Sequence, residues 1–174
     1  MLALGISALA LAVGAYQTRL MQTQARASVW PYLVSGFNYA DYGERMGFEL
    51  HIQNNGVGPA IVQSTVLKLD GKPVKHWNDV ISALMKGHEG ETAHASFAGL
   101  HGIVVPPSTN RDTDVPAIRT SDAALGKALY EATERLSIDI CYCSIYDDCW
   151  QSHWLQRKPE PVSSCHETAD EFDY

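Results

Sequence analysis

The sequence predicts a mainly β protein: an antiparallel, immunoglobulin-like sandwich with two short inserted helices, preceded by an N-terminal transmembrane and stalk helix. Three observations carry this. Residues 46–53 and 136–142 alternate apolar and polar side chains with the period of a half-buried strand. Short apolar runs are separated by dense turn signals such as Asn54-Asn55-Gly56-Val57-Gly58-Pro59. Residues 2–16 contain no charge and are dominated by Leu, Ile, Val and Ala.

The chain divides into an anchor and helical stalk at 1–28, a β-rich soluble domain at 29–157 and an acidic, disordered tail at 158–174. The apolar run is shorter than the roughly 20 residues that span a bilayer, but Arg19 can snorkel and extend it over Leu20 and Met21. A cleaved signal peptide is the rival, with Val13-Gly14-Ala15 as a small-residue cleavage site, though a basic flank before the run is lacking. Arg19 and Arg26 follow the run. The positive-inside rule therefore places the domain on the cytoplasmic side of a bacterial-type inner membrane, with the periplasm as the alternative. Ala8, Ala12, Ala10 and Gly14 give small-xxx-small spacing, which admits helix pairing in a homodimer.

Within the domain, strands are expected at 32–39, 46–53 and 61–69, the last closed by Asp70-Gly71. Asn78 is read as the cap of a helix with Val80, Ile81, Leu84 and Met85 on one face and Gly87 as its stop. Ser121 is read as the cap of a second helix, with Leu125, Ala128, Leu129 and Ala132 as its stripe and Glu131 paired with Arg135. A strand is expected within 94–105 and a polar loop over 106–116. The final pair, 136–143 and 149–155, turns at Asp147-Asp148. Leu136, Ile138, Ile140 and Tyr142 then face one way, and Ser137, Asp139, Cys141 and Cys143 the other.

Composition and motifs exclude several functions. With 174 residues, 45% of them apolar, the chain can build a core. A net charge of -7 argues against nucleic acid as a partner. Neither a Gly-x-Ser-x-Gly elbow nor a P-loop occurs, and Asn55-Gly56-Val57-Gly58-Pro59 leads into a strand, without the helix N-terminus that a phosphate cradle needs. His88, Glu89 and His94 lack HExxH spacing and read as surface loop residues. No catalytic residue, metal ligand set or cofactor site is therefore assigned.

Two clusters near the C-terminus are candidates for function. Tyr142, Tyr146, Trp150 and Trp154 crowd one hairpin and form an interaction face if they stand outside. Cys141, Cys143, Cys149 and Cys165, with His153 and His166 nearby, match zinc-knuckle spacing poorly. A Cys143–Cys149 disulfide needs an odd-length loop, whereas a two-residue Asp147-Asp148 turn sets Cys143 opposite Ser152. The cysteines are accordingly read as reduced, half-buried thiols, in keeping with a cytoplasmic domain.

Three pieces taken together, Val29-Trp30-Pro31-Tyr32, Asn55-Gly56-Val57-Gly58-Pro59-Ala60 and Tyr142-Cys143-Ser144-Ile145-Tyr146-Asp147-Asp148-Cys149-Trp150, give a resemblance that covers most of the chain in order. They resemble uncharacterised bacterial proteins with one N-terminal membrane helix and a small β-rich domain. The resemblance implies architecture and carries no functional residue. The expectation is a membrane-tethered, non-enzymatic interaction domain for a protein partner. A cysteine-based redox or metal sensor and an enzyme with a dispersed site are the rivals.

Overall fold

The computed structural model describes residues 2–41, 46–86, 94–109 and 113–173. The expected helix stop at Gly87 and the loop residues His88 and Glu89 lie outside them. Among the described residues the fold is mainly antiparallel β-sheet with three helices. The chain runs α1 (Leu2–Ala27), β1 (Leu33–Asp41), β2 (Met46–Asn54), β3 (Ala60–Leu69), β4 (Lys72–Val74), α2 (Trp77–Leu84), β5 (Ser96–Phe97), β6 (Val104–Val105), β7 (Val115–Thr120), α3 (Ala123–Glu131), β8 (Leu136–Cys143), β9 (Cys149–Ser152) and β10 (Glu160–Val162). One sheet has the order β1-β2-β7-β5. The other has the order β10-β9-β8-β3-β4, with β6 also paired to β3. Phe48, Leu50 and Ile52 from the first sheet and Leu67, Ile138 and Ile140 from the second meet in one buried cluster, as their alternation dictates, and Val62 joins them across a register shift in β3.

Several local features depart from the sequence reading. α2 is capped at His76, not Asn78, because Trp77 is itself helical and fully buried. α3 is capped by Asp122, whose carboxylate accepts from Leu125 N at 2.9 Å, so the cap lies one residue beyond Ser121. Glu131 pairs with Lys127, while Arg135 reaches Asp70 through two 2.7 Å bonds. Strand β7 occupies the end of the expected loop. Its Pro116 lies opposite His51 beside a bulge in β7, where Ala117 is the extra residue, the kind of place where a sheet tolerates a residue without N–H. The 94–105 segment gives two short strands, one in each sheet.

The C-terminal segment is not a solvated tail. β10 extends the second sheet alongside β9, and Cys165 is bonded to Cys141. Glu171 accepts from Ser64 Oγ and from Thr65 N, beside a register shift in β3 between Val62 and Ser64. Phe172 N and Asp173 N donate to Thr65 O and Lys75 O, both at 2.8 Å. Phe172 is buried edge-on against Trp77, with ring centroids 5.4 Å apart. The acidic composition of this stretch masked one apolar anchor and one covalent one.

α1 leaves the domain with its apolar side chains exposed, among them Ile6, Leu9, Leu11 and Val13. Among the described residues, no helix is long and apolar enough to cross a membrane. Its C-terminal end is held to the domain. Arg26 pairs with Asp148, and its guanidinium lies 5.8 Å from the Tyr146 ring centroid. Trp30 O accepts from Val57 N at 2.9 Å, and Tyr32 O from Asn55 N at 2.8 Å. A Cβ on Gly56 or Gly58 would run into the backbone of Trp30 or Val29, so the turn needs glycine for this close approach. Asn54 is fully buried at the centre of the joint. Its Nδ2 donates to Gly58 O (2.8 Å) and Val105 O (3.0 Å), and its Oδ1 accepts from Tyr32 N and Gly56 N (3.0 Å each).

Candidate functional site

The hairpin aromatics do not assemble one exposed face. Tyr142 is fully buried, and its hydroxyl accepts from Leu33 N at 3.1 Å; burial, the main influence, raises its pKa above the ordinary value. Trp150 stacks on Tyr142 and is half-buried. Trp154 is also half-buried. It stacks against Phe37 and donates from its indole N–H to Thr133 O at 3.1 Å. Only Tyr146 of the four is largely exposed, and it lies beside Arg26. Alternation put Tyr142 on the core face, but the register that sets Trp150 opposite it comes from the 144–148 loop, which the sequence reading did not foresee.

The free-thiol reading is overturned. All four cysteines are paired, Cys141 with Cys165 and Cys143 with Cys149. The turn is the odd-length loop 144–148, closed by a 2.8 Å bond from Ser144 N to Asp148 O, with Asp147 at φ 58°. That loop sets Cys143 directly opposite Cys149. Cys141 is opposite Gln151, so its sulfur is bridged by the returning C-terminal segment. The Sγ atoms of Cys143, Cys149 and Cys165 lie within 4.8 Å of one another, a ligand-like cluster. Paired as disulfides they are not thiolates, and the thiolate is the form that binds metal.

The same outward face of β8 carries Asp139. Its carboxylate accepts from His153 Nδ1 at 2.7 Å and from Lys68 Nζ at 2.9 Å. Burial pushes its pKa up, but the hydrogen bonds from His153 and Lys68 outweigh this, and the net shift is downward. A carboxyl lowered on folding stabilises the protein above its unfolded-state pKa, and that contribution is lost as pH falls through the folded value. Asp139→Asn is expected to cost about 1 kcal/mol at neutral pH. In urea unfolding the difference from the parent protein should shrink toward zero in strong acid. A pH-independent difference would show that the carboxylate charge is not the source.

A broad concavity lies elsewhere, on the first sheet. This open cleft of about 1080 Å³ is lined by Phe37 and Tyr39 of β1, Glu49 of β2, Arg119 of β7 and Tyr130 of α3. Tyr39 and Tyr130 stack with centroids 4.3 Å apart, and Phe37 meets Tyr130 edge-on at 6.1 Å. Arg119 pairs with Glu49 on the rim. His94 and Ser96 complete the polar side. Alternation placed Glu49 on a solvent face, but the cleft unites residues far apart in sequence, and the loop reading of 106–116 hid the approach of β7. Neither Asp139 nor Tyr142, the two groups near this hairpin with shifted titration, lines the cleft.

Fold and site together define a β-rich, disulfide-linked domain with an aromatic cleft and a projecting apolar helix. No family model, curated protein or solved structure matches the chain.

Proposed function

We propose that this chain is a membrane-tethered, non-enzymatic binding domain of immunoglobulin-like sandwich architecture, working on the oxidising side of the membrane. The observation that carries this reading is an apolar helix with Leu9 and Leu11 exposed, leading directly into a domain cross-linked by two disulfides. Leu9 and Leu11 leave α1 about 200° apart, so no single groove on a protein partner covers both, whereas lipid does. The uncharged stretch 2–16 makes about 22 Å of helix at roughly 1.5 Å per residue, against a hydrocarbon core of about 30 Å. Contact with the membrane would then rest on Arg19 snorkelling and on Leu20 and Met21.

Disulfides persist in oxidising compartments and are rare in the cytosol, and this weighs more than two arginines in setting orientation. The cleft supports binding over catalysis: it offers aromatic surface and a rim ion pair, and the shifted titratable groups of the β8 hairpin lie outside it. We take its ligand to be a protein segment presenting an apolar side chain next to a charged one.

Two measurements test this. Alkaline phosphatase fused after Tyr174 should be active in the membrane fraction, with all four cysteines refractory to alkylation until reduced. An inactive fusion with freely alkylated thiols would return the domain to the cytoplasm. Tyr130→Ala combined with Arg119→Glu should lower partner cross-linking about tenfold or more, as loss of an aromatic anchor does, while leaving the membrane fraction unchanged. Undiminished cross-linking would remove the cleft from the reading.

A further inference from the structure

We propose that the four cysteines form a disulfide-exchange relay, with Cys165 as the exchanging residue and an external dithiol as its reactant. Cys141 and Cys143 are two residues apart on β8 and therefore leave the strand on the same face. Cys165, arriving on the C-terminal segment, bonds Cys141 and holds its Sγ 3.7 Å from the Sγ of Cys143, which belongs to the other disulfide. One sulfur thus stands within exchange range of two alternative partners. Cys141, Cys143 and Cys149 are 5%, 7% and 7% exposed, whereas Cys165 is half-buried, so a reagent from solvent meets Cys165 first.

The exchange proceeds by thiolate attack on a disulfide sulfur. A thiolate of the dithiol attacks Cys165 Sγ; a bond forms there, the Cys141–Cys165 bond breaks, and Cys141 leaves as thiolate and takes up a proton. The second thiol of the dithiol, after losing its proton, attacks its own sulfur in the mixed disulfide and releases Cys165 as thiolate. The dithiol has become a disulfide and two electrons have entered the protein. Cys165 thiolate then attacks Cys143 Sγ. The Cys143–Cys165 bond forms, the Cys143–Cys149 bond breaks, and Cys149 leaves as thiolate and is protonated.

The product carries one disulfide, Cys143–Cys165, and two thiols at Cys141 and Cys149. The reduction has passed from the accessible disulfide to the one that closes the 144–148 loop. That loop carries Tyr146 and Asp148, the contacts of Arg26 at the end of α1. The relay therefore reaches the joint between helix and domain, and it depends on neither the cleft nor the membrane side.

The test is partial reduction of the full-length protein with substoichiometric dithiothreitol, then acid quench, alkylation and non-reducing peptide mapping. The expected result is a Cys143–Cys165 linked peptide amounting to about one tenth or more of the remaining Cys141–Cys165 form. Two three-cysteine variants give the same answer independently. Cys141→Ser should populate both Cys143–Cys149 and Cys143–Cys165, and Cys149→Ser both Cys141–Cys165 and Cys143–Cys165. The proposal is overturned if partially reduced molecules keep only the two original pairings, with Cys165 alkylated fully in Cys141→Ser and Cys143 fully in Cys149→Ser. If a variant fails to fold, the titration of the unaltered protein decides alone.

Discussion

Replacing Asn54 with Leu is expected to destabilise the domain by about 4 kcal/mol, although the two side chains share the same branched four-atom skeleton and the site is fully buried. The amide makes four hydrogen bonds. Its two donors meet Gly58 O and Val105 O, and its oxygen meets Tyr32 N and Gly56 N. Leucine would leave two buried carbonyls and two part-buried N–H groups without these partners. Each orphaned group costs about 1–3 kcal/mol, reduced where the backbone relaxes toward water. Asn54→Asp keeps the acceptor and loses both donors, so a carboxylate would face two carbonyl oxygens. It should be at least as damaging at neutral pH and recover in part when protonated. Urea midpoints of the three proteins check this. A leucine variant within about 1 kcal/mol of the parent would mean that the turn reorganises and that Asn54 does not organise it.

This asparagine also explains how much of the fold could be read in advance. The sequence marked Asn54-Asn55-Gly56-Val57-Gly58-Pro59 as a turn, and residues 46–53 and 61–69 as strands, because turn chemistry and alternation are local signals. It could not show that the turn folds back under Trp30-Pro31-Tyr32, since that contact joins segments more than twenty residues apart. The same limit governs the hairpin. Alternation put Ile138 and Ile140 in the core and Cys141 and Cys143 on the other face, and both placements hold. Loop length was the deciding quantity for the thiols. A turn at Asp147-Asp148 and a loop over 144–148 fit the same residues but differ in register, and register selects the partner of Cys143. The cleft was least legible. Its aromatic wall joins β1 to α3, and only tertiary packing brings Tyr39 to Tyr130.

Removing residues 163–174 is expected to unfold the domain or bring it to the margin of stability, with a loss of about 6 kcal/mol against total stabilities of about 5–15 kcal/mol for domains of this size. Three separable contributions make up the loss. The Cys141–Cys165 disulfide spans 24 residues, and a closed loop of that length is worth about 3 kcal/mol in chain entropy. Phe172 fills the space beside Trp77, and truncating a buried phenylalanine costs about 3 kcal/mol or more. Glu171 adds a smaller share by accepting from Thr65 N and Ser64 Oγ. Single variants resolve the sum. Cys165→Ser and Phe172→Ala should each cost about 3 kcal/mol, and Cys149→Ser about 2 kcal/mol, because its loop spans only 6 residues. The ordering is the discriminating part: a mobile acidic tail would make Phe172→Ala silent and leave the truncated protein melting like the whole one. Thermal melts of the parent and these four variants under non-reducing conditions decide between these outcomes. If the truncation and Phe172→Ala both leave the transition unchanged, the C-terminal segment does not belong to the fold, and Cys165 loses the anchor that holds it over β8.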